Sequence, residues 1–212
     1  MTQKATGEER PLNWPDDPET VAAENIDFEA LAHVLANTCR RGGCMRGYHS
    51  VAAHAVVVSE EIEALDGLAD EDRRTLALHA LVADAPSAWL RRRLPESQRA
   101  VDRTGKLATG IETAVREAAG LGAVLEEEQA ELLRFVSRMA AAAESRDLMD
   151  GNAPAGAGIA FPPLKRRIRS IPPDKAATGW LARFRALAGP EPERQSRVAR
   201  NAETEATDAA QG

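Results

Sequence analysis

Aromatic side chains are scarce: Phe, Trp and Tyr make up 4% of the 212 residues, and Tyr48 is the single tyrosine. Proteins that hold single-stranded nucleic acid stack bases on such rings, so the composition argues against that task. Positive charge is not in excess either. With 27 Lys and Arg against 33 Asp and Glu, the net charge is −6, and no broad cationic field is offered to a nucleic-acid backbone. The two cysteines, Cys39 and Cys44, cannot form a disulfide framework. No apolar run approaches the roughly 20 residues that a bilayer-spanning helix needs, and no secretory leader is recognisable. The expectation is a cytoplasmic protein without a membrane partner.

What is present is a helical pattern in a chain that is 43% hydrophobic, enough for a sizeable core. Phe28, Leu31, Ala32, Leu35 and Cys39 form one stripe behind a cap at Asp27, which predicts a helix to about Arg40. Gly42 and Gly43 end it. A second helix is expected from Ser50 to about Leu65. Val51, His54, Ala55, Val58, Ile62 and Leu65 share a face there, so His54 points inward. A third, from Glu71 to about Asp84 with Asp70 as its cap, is apolar on all sides after its first turn. His79 is its single polar interior residue, and Pro86 should end it.

Further helices are expected over Glu96–Ala119, where Gly105 and Gly110 threaten continuity, over Leu125–Leu148, and over Asp174–Leu187. The second of these opens with Glu126, Glu127 and Glu128 at the positive end of its dipole. Nothing alternates with period two, and there is no internal repeat. The reading is an all-α bundle over residues 24–188, interrupted by a flexible Gly/Ala/Pro loop at 149–163. An N-terminal arm (1–23) precedes it and a disordered tail (189–212) follows.

Five segments carry more specific information. They are Arg40-Arg41-Gly42-Gly43-Cys44; Tyr48-His49-Ser50-Val51-Ala52-Ala53-His54; His79 through Asp84 to Pro86; Glu144-Ser145-Arg146-Asp147-Leu148-Met149; and Pro172-Pro173 followed by Ala177, Trp180 and Leu181. In this order they resemble the HD-domain phosphohydrolases, specifically the small bacterial and phage branch related to the 5′-deoxynucleotidases. The resemblance spans roughly residues 26–188. It implies an HD-domain-like helical bundle around one or two divalent metals, held by a His, a His-Asp pair and a late Asp. His54 falls on the first ligand and His79 on the second. The paired Asp falls on Ala80, the late Asp on Ser137, and a pocket histidine on Cys44.

Two imidazoles without carboxylates offset little of a divalent ion's desolvation. The expected function is therefore that of a degenerate HD-domain protein, inactive or weakly active, with no assigned cofactor. It would bind a nucleotide-like, phosphorylated small molecule or a protein partner. The alternative is a metal-dependent hydrolase of deoxynucleoside mono- or triphosphates, using Mn, Co, Zn or Mg on the rearranged set His54, His79 and Asp84. Asp84 lies five places after His79 and would need an unwound last turn to join it. A zinc site of Cys44, His54 and His79 is a third arrangement; buried core histidines are the plain one.

Arg40, Cys44, Arg91 and Arg92 are the candidate ligand-binding residues, since arginine forks match phosphate oxygens. Solvated arginines balancing acidic helices are the plain reading of the Arg91–Arg93 run. Glu144, Arg146 and Asp147 are expected to tie the long helix to the Arg40 region by ion pairs. Lys165 to Arg169 form a short basic patch in an otherwise acidic chain. The alanine run 140–143 would allow close helix packing, which makes a homodimer a candidate assembly.

Overall fold

The computed structural model describes residues 21–93, 101–122, 125–149 and 161–189. Most of the expected N-terminal arm, the 150–160 part of the expected loop and the tail from 190 lie outside them. Seven α-helices and no strand occur among the described residues.

Asp27 opens α1 (Phe28–Asn37), its Oδ1 accepting the N–H groups of Glu29 at 2.9 Å and Ala30 at 3.1 Å. The helix stops before the expected Arg40. Beyond it, a tight turn over Arg40–Gly43 takes Arg41, Gly42 and Gly43 to φ of 51°, 61° and 83°. The chain then doubles back. Cys39 and Ser50 form an isolated antiparallel bridge, with Arg40 N–H donating to the His49 carbonyl and Val51 N–H to that of Thr38, both at 2.9 Å. This return sets Arg40 beside His49 at the entrance to α2 (Val51–Glu63). Ser50 caps α2, accepting from Ala53 N–H at 3.1 Å.

Helix α2 is the centre of the bundle, in contact with α1, α3, α6 and α7. With neighbours on several sides it buries Ala52, Ala53 and Val57 as well as the expected face of Val51, His54, Ala55, Val58 and Ile62. Helix α3 (Asp70–Val82) is buried at every position from Leu76 to Val82, as its composition requires. Its start differs from expectation: Asp70 is the first helical residue, and Ala69 holds the cap position without a side chain to accept. Pro86 does more than end α3. It begins α4 (Pro86–Arg93), where its fixed φ suits the first helical position and its missing N–H costs no helical hydrogen bond.

Helix α5 (Val101–Ala118) runs unbroken through Gly105 and Gly110. Its expected start near Glu96 falls outside the described residues. Helix α6 (Glu127–Leu148) lies on α2, with the small buried residues Ala140 and Ala143 permitting close approach. Ser137 and Glu144, seven residues or about two turns apart, consequently present to the same neighbour. Helix α7 (Pro173–Ala188) closes the bundle over α1, α2 and α3. Phe184 stacks on Phe28 at 4.0 Å between ring centres, and the buried Trp180 donates its Nε1–H to the Leu81 carbonyl at 3.2 Å. Among the described residues no helix is long and apolar enough to cross a membrane.

Candidate functional site

At the meeting of the Arg40 turn, the start of α2 and the last turns of α6, the Glu144 carboxylate is 1% exposed and has three partners. Oε1 lies 3.2 Å from His49 Nε2 and 2.5 Å from His54 Nδ1; Oε2 lies 3.1 Å from Arg40 Nε. Burial by itself would raise the Glu144 pKa. Hydrogen bonds from His49 and His54, with the charge of Arg40, outweigh burial and hold the carboxyl well below the usual carboxylate range.

An ionised carboxylate can only accept, so both histidines must donate to it. His49 then carries its proton on Nε2 and leaves Nδ1, buried without a partner, as a bare lone pair. His54 carries its proton on Nδ1. Its Nε2 turns a lone pair to Ser137, whose Oγ is 3.1 Å away. The result is a continuous line from buried carboxylate to imidazole to serine hydroxyl.

Ser137 is half-buried and opens into a pocket of about 230 Å³. Its lining includes His54, Ala80 and Asp84, with Ser137, Arg134 and Arg138 from α6. Arg134 donates to Glu127 at 2.6 Å, and the Arg138 guanidinium sits 5.1 Å over the Phe161 ring. Neither contact uses all five guanidinium N–H donors.

Of the residues singled out from sequence, His54 and Asp84 share this pocket. Arg40 reaches its edge, with Nη1 3.8 Å from Asp84 Oδ2. His79 is buried in α3 but is not part of the pocket lining. Burial first, and the charge of Arg116 on α5 second, push its pKa down to about 4, so its ring is neutral at pH 7. Cys44 is exposed in the Arg40 turn region. Arg91 and Arg92 lie on α4, and their side chains fall outside the described residues.

Three residues of the site carried no assigned role in the sequence reading: His49, Arg134 and Arg138. The spacing of Arg134 and Arg138 was a usable signal, since one turn of α6 separates them and both flank Ser137. Glu144 ties α6 to Arg40 as expected. Asp147 instead holds the segment after the expected loop, accepting from Ile168 N–H at 2.8 Å and Arg167 at 2.6 Å. Within the basic patch, Arg166 is paired with Glu60 at 2.7 Å.

The donor set does not fit a divalent ion. One imidazole and one carboxylate, His54 and Asp84, face the pocket, and the His54 lone pair is engaged by Ser137. Two guanidinium groups in the same lining would repel a cation. Among the described residues no three His, Cys, Asp or Glu are grouped to hold a metal. No protein-family model and no curated protein matches the chain.

Proposed function

We propose that this chain is an HD-type helical domain that has given up metal-dependent phosphohydrolysis and binds a small phosphorylated, nucleotide-like ligand in the His54 pocket. The observation that carries the reading is the pocket's make-up. Ala80 and Ser137 stand where the resemblance expects metal carboxylates, while Arg134 and Arg138 turn the lining toward anions. Guanidinium groups bind phosphate oxygens through paired N–H donors and need no metal to do so. Arg40, beside Asp84, adds a third cation at the edge.

Size sets which part of the ligand enters. Pockets that enclose a drug-sized molecule run from roughly 300 to 1,000 Å³. At about 230 Å³ this one suits a phosphate with part of its sugar, leaving a base outside. Asp84 can accept a sugar hydroxyl there.

The test is calorimetric titration of the full chain with nucleoside monophosphates, the corresponding nucleosides and inorganic phosphate, with an Arg134→Ala/Arg138→Ala variant alongside. Expected is binding of the monophosphates that weakens at least ~10-fold on losing either the phosphate or the two arginines. Equal binding of nucleoside and nucleotide, or none of either, would contradict the reading. Phosphate release under Mn, Co, Zn or Mg that vanishes in an Asp84→Asn variant would favour the rearranged phosphohydrolase instead.

A further inference from the structure

We infer that Ser137, His54 and Glu144 form a metal-free nucleophilic relay, suited to acyl transfer from small esters that carry an anionic group. The inference goes beyond ligand binding and does not depend on the ligand being a phosphate.

The geometry is that of a serine activated through an oriented imidazole. Ser137 Oγ lies 3.1 Å from His54 Nε2, and His54 Nδ1 lies 2.5 Å from Glu144 Oε1. The orienting carboxylate is shut away from solvent, the imidazole is 2% exposed, and the hydroxyl opens to the pocket. Glu144 is further fixed by Arg40 and His49, so the His54 ring is held in the tautomer that presents its lone pair to the hydroxyl.

Three other hydroxyls inside these helices turn back on their own helix. Thr109, Ser145 and Thr178 each donate to the carbonyl four residues back, at 3.1, 3.0 and 2.9 Å. Ser59 and Ser137 instead turn across to a neighbouring helix, Ser59 donating to the Ala77 carbonyl at 2.8 Å and Ser137 alone meeting a ring nitrogen among these hydroxyls.

Acyl transfer also needs donors where negative charge develops. The backbone N–H groups around Ser137 are spent inside α6, so side chains must supply them. Arg138 and Arg134, both in the pocket lining, are placed to do so and to hold an anionic substituent of the substrate.

The balanced sequence is short. Ser137 Oγ bonds to the ester carbonyl carbon as its proton passes to His54 Nε2. The carbon–oxygen bond to the alcohol then breaks, and His54 returns that proton to the departing alkoxide, leaving acyl-Ser137. A water molecule, deprotonated by His54, attacks the acyl carbon; the carboxylic acid leaves and Ser137 regains its proton.

The test uses the full chain and two probes. One is a fluorophosphonate, with the labelled residue located by peptide mass spectrometry. The other is a pair of p-nitrophenyl esters, acetate and hemisuccinate, followed for a burst of nitrophenol. Expected is one label per chain at Ser137, at least ~100-fold faster than at any other serine and abolished by unfolding in urea. The burst should favour the hemisuccinate and be absent from a Ser137→Ala variant whose thermal melt matches the parent. No label, a label spread over several serines, or a burst that survives Ser137→Ala would overturn the inference. Nucleotide titration of the same preparation reports separately on phosphate binding.

Discussion

His54 Nδ1 and Glu144 Oε1 lie 2.5 Å apart, and both side chains are buried. A lone carboxylate in that position would cost several kcal/mol, so the His49, His54 and Arg40 contacts are a condition of folding as much as a device for function. Removing the charge while keeping the shape, with Glu144→Gln, leaves the Arg40 guanidinium with Asp84, 3.8 Å away, as its anion and sets an amide donor against either that guanidinium or the two ring N–H groups. The expected cost is roughly 3 kcal/mol, read as a lower urea midpoint at unchanged slope. A loss below about 1 kcal/mol would show that the network contributes little.

Acid should act in two separate windows. The folded-state pKa of His79, about 4, lies below its ordinary 6.5. Between those values the unfolded chain takes up a proton that the folded chain refuses, so stability is complete above pH 6.5 and falls by up to ~1.4 kcal/mol per pH unit toward pH 4. A His79→Leu variant should escape this decline, gaining on the parent by about 2 kcal/mol between pH 7 and pH 5. Glu144, also depressed, contributes stability that is present above its ordinary value of about 4.5 and lost only below it. Denaturant melts at pH 7, 6, 5 and 4 would check this; a constant difference between parent and His79→Leu would contradict it.

Two glycines separate backbone strain from crowding. Gly42 has φ of 61° and open space where a side chain would go, so Gly42→Ala should cost only the conformational penalty of about 1 kcal/mol. Gly47, at φ 73°, would place a Cβ 2.8 Å from Ser170 Oγ, which now bonds to the Tyr48 carbonyl at 2.6 Å. Gly47→Ala should cost clearly more, about 2–3 kcal/mol, with part of the excess relieved by adding Ser170→Ala. Equal losses at the two positions in thermal melts would contradict the assigned contact.

Much of this arrangement is legible from local pattern. The Asp27 cap, the start of α2 at Ser50, the inward His54 and the all-round burial of late α3 follow from spacing and residue type, while the Glu144–Arg40 tie is expected from the segments that carry the family resemblance. Ser137 is singled out through the family resemblance, whose late Asp falls seven residues before Glu144, and two helical turns of α6 do set the two residues on one face. What escapes is set by tertiary neighbours. His49 lies in an irregular return whose pairing with Cys39 and Arg40 has no periodic signature, so its role at Glu144 cannot be read from the sequence. Pro86 is ambiguous in sequence because proline both ends one helix and suits the start of the next. His54 and His79 look equivalent in sequence, yet the packing of α3 against α5 leaves His79 beside Arg116, outside the His54 pocket lining.

The central claim is that this pocket is a metal site stripped of its carboxylates. It is tested most directly by putting them back. His54, Ala80 and Ser137 line one cavity, so an Ala80→Asp/Ser137→Asp variant would offer a divalent ion an imidazole and two carboxylates. Thermal melts of parent and double variant, with EDTA or with millimolar Mn or Co, decide the matter. The expected result is a metal-dependent rise of several degrees in the double variant and none in the parent. A rise in the parent, or none in a double variant that folds, would contradict the claim.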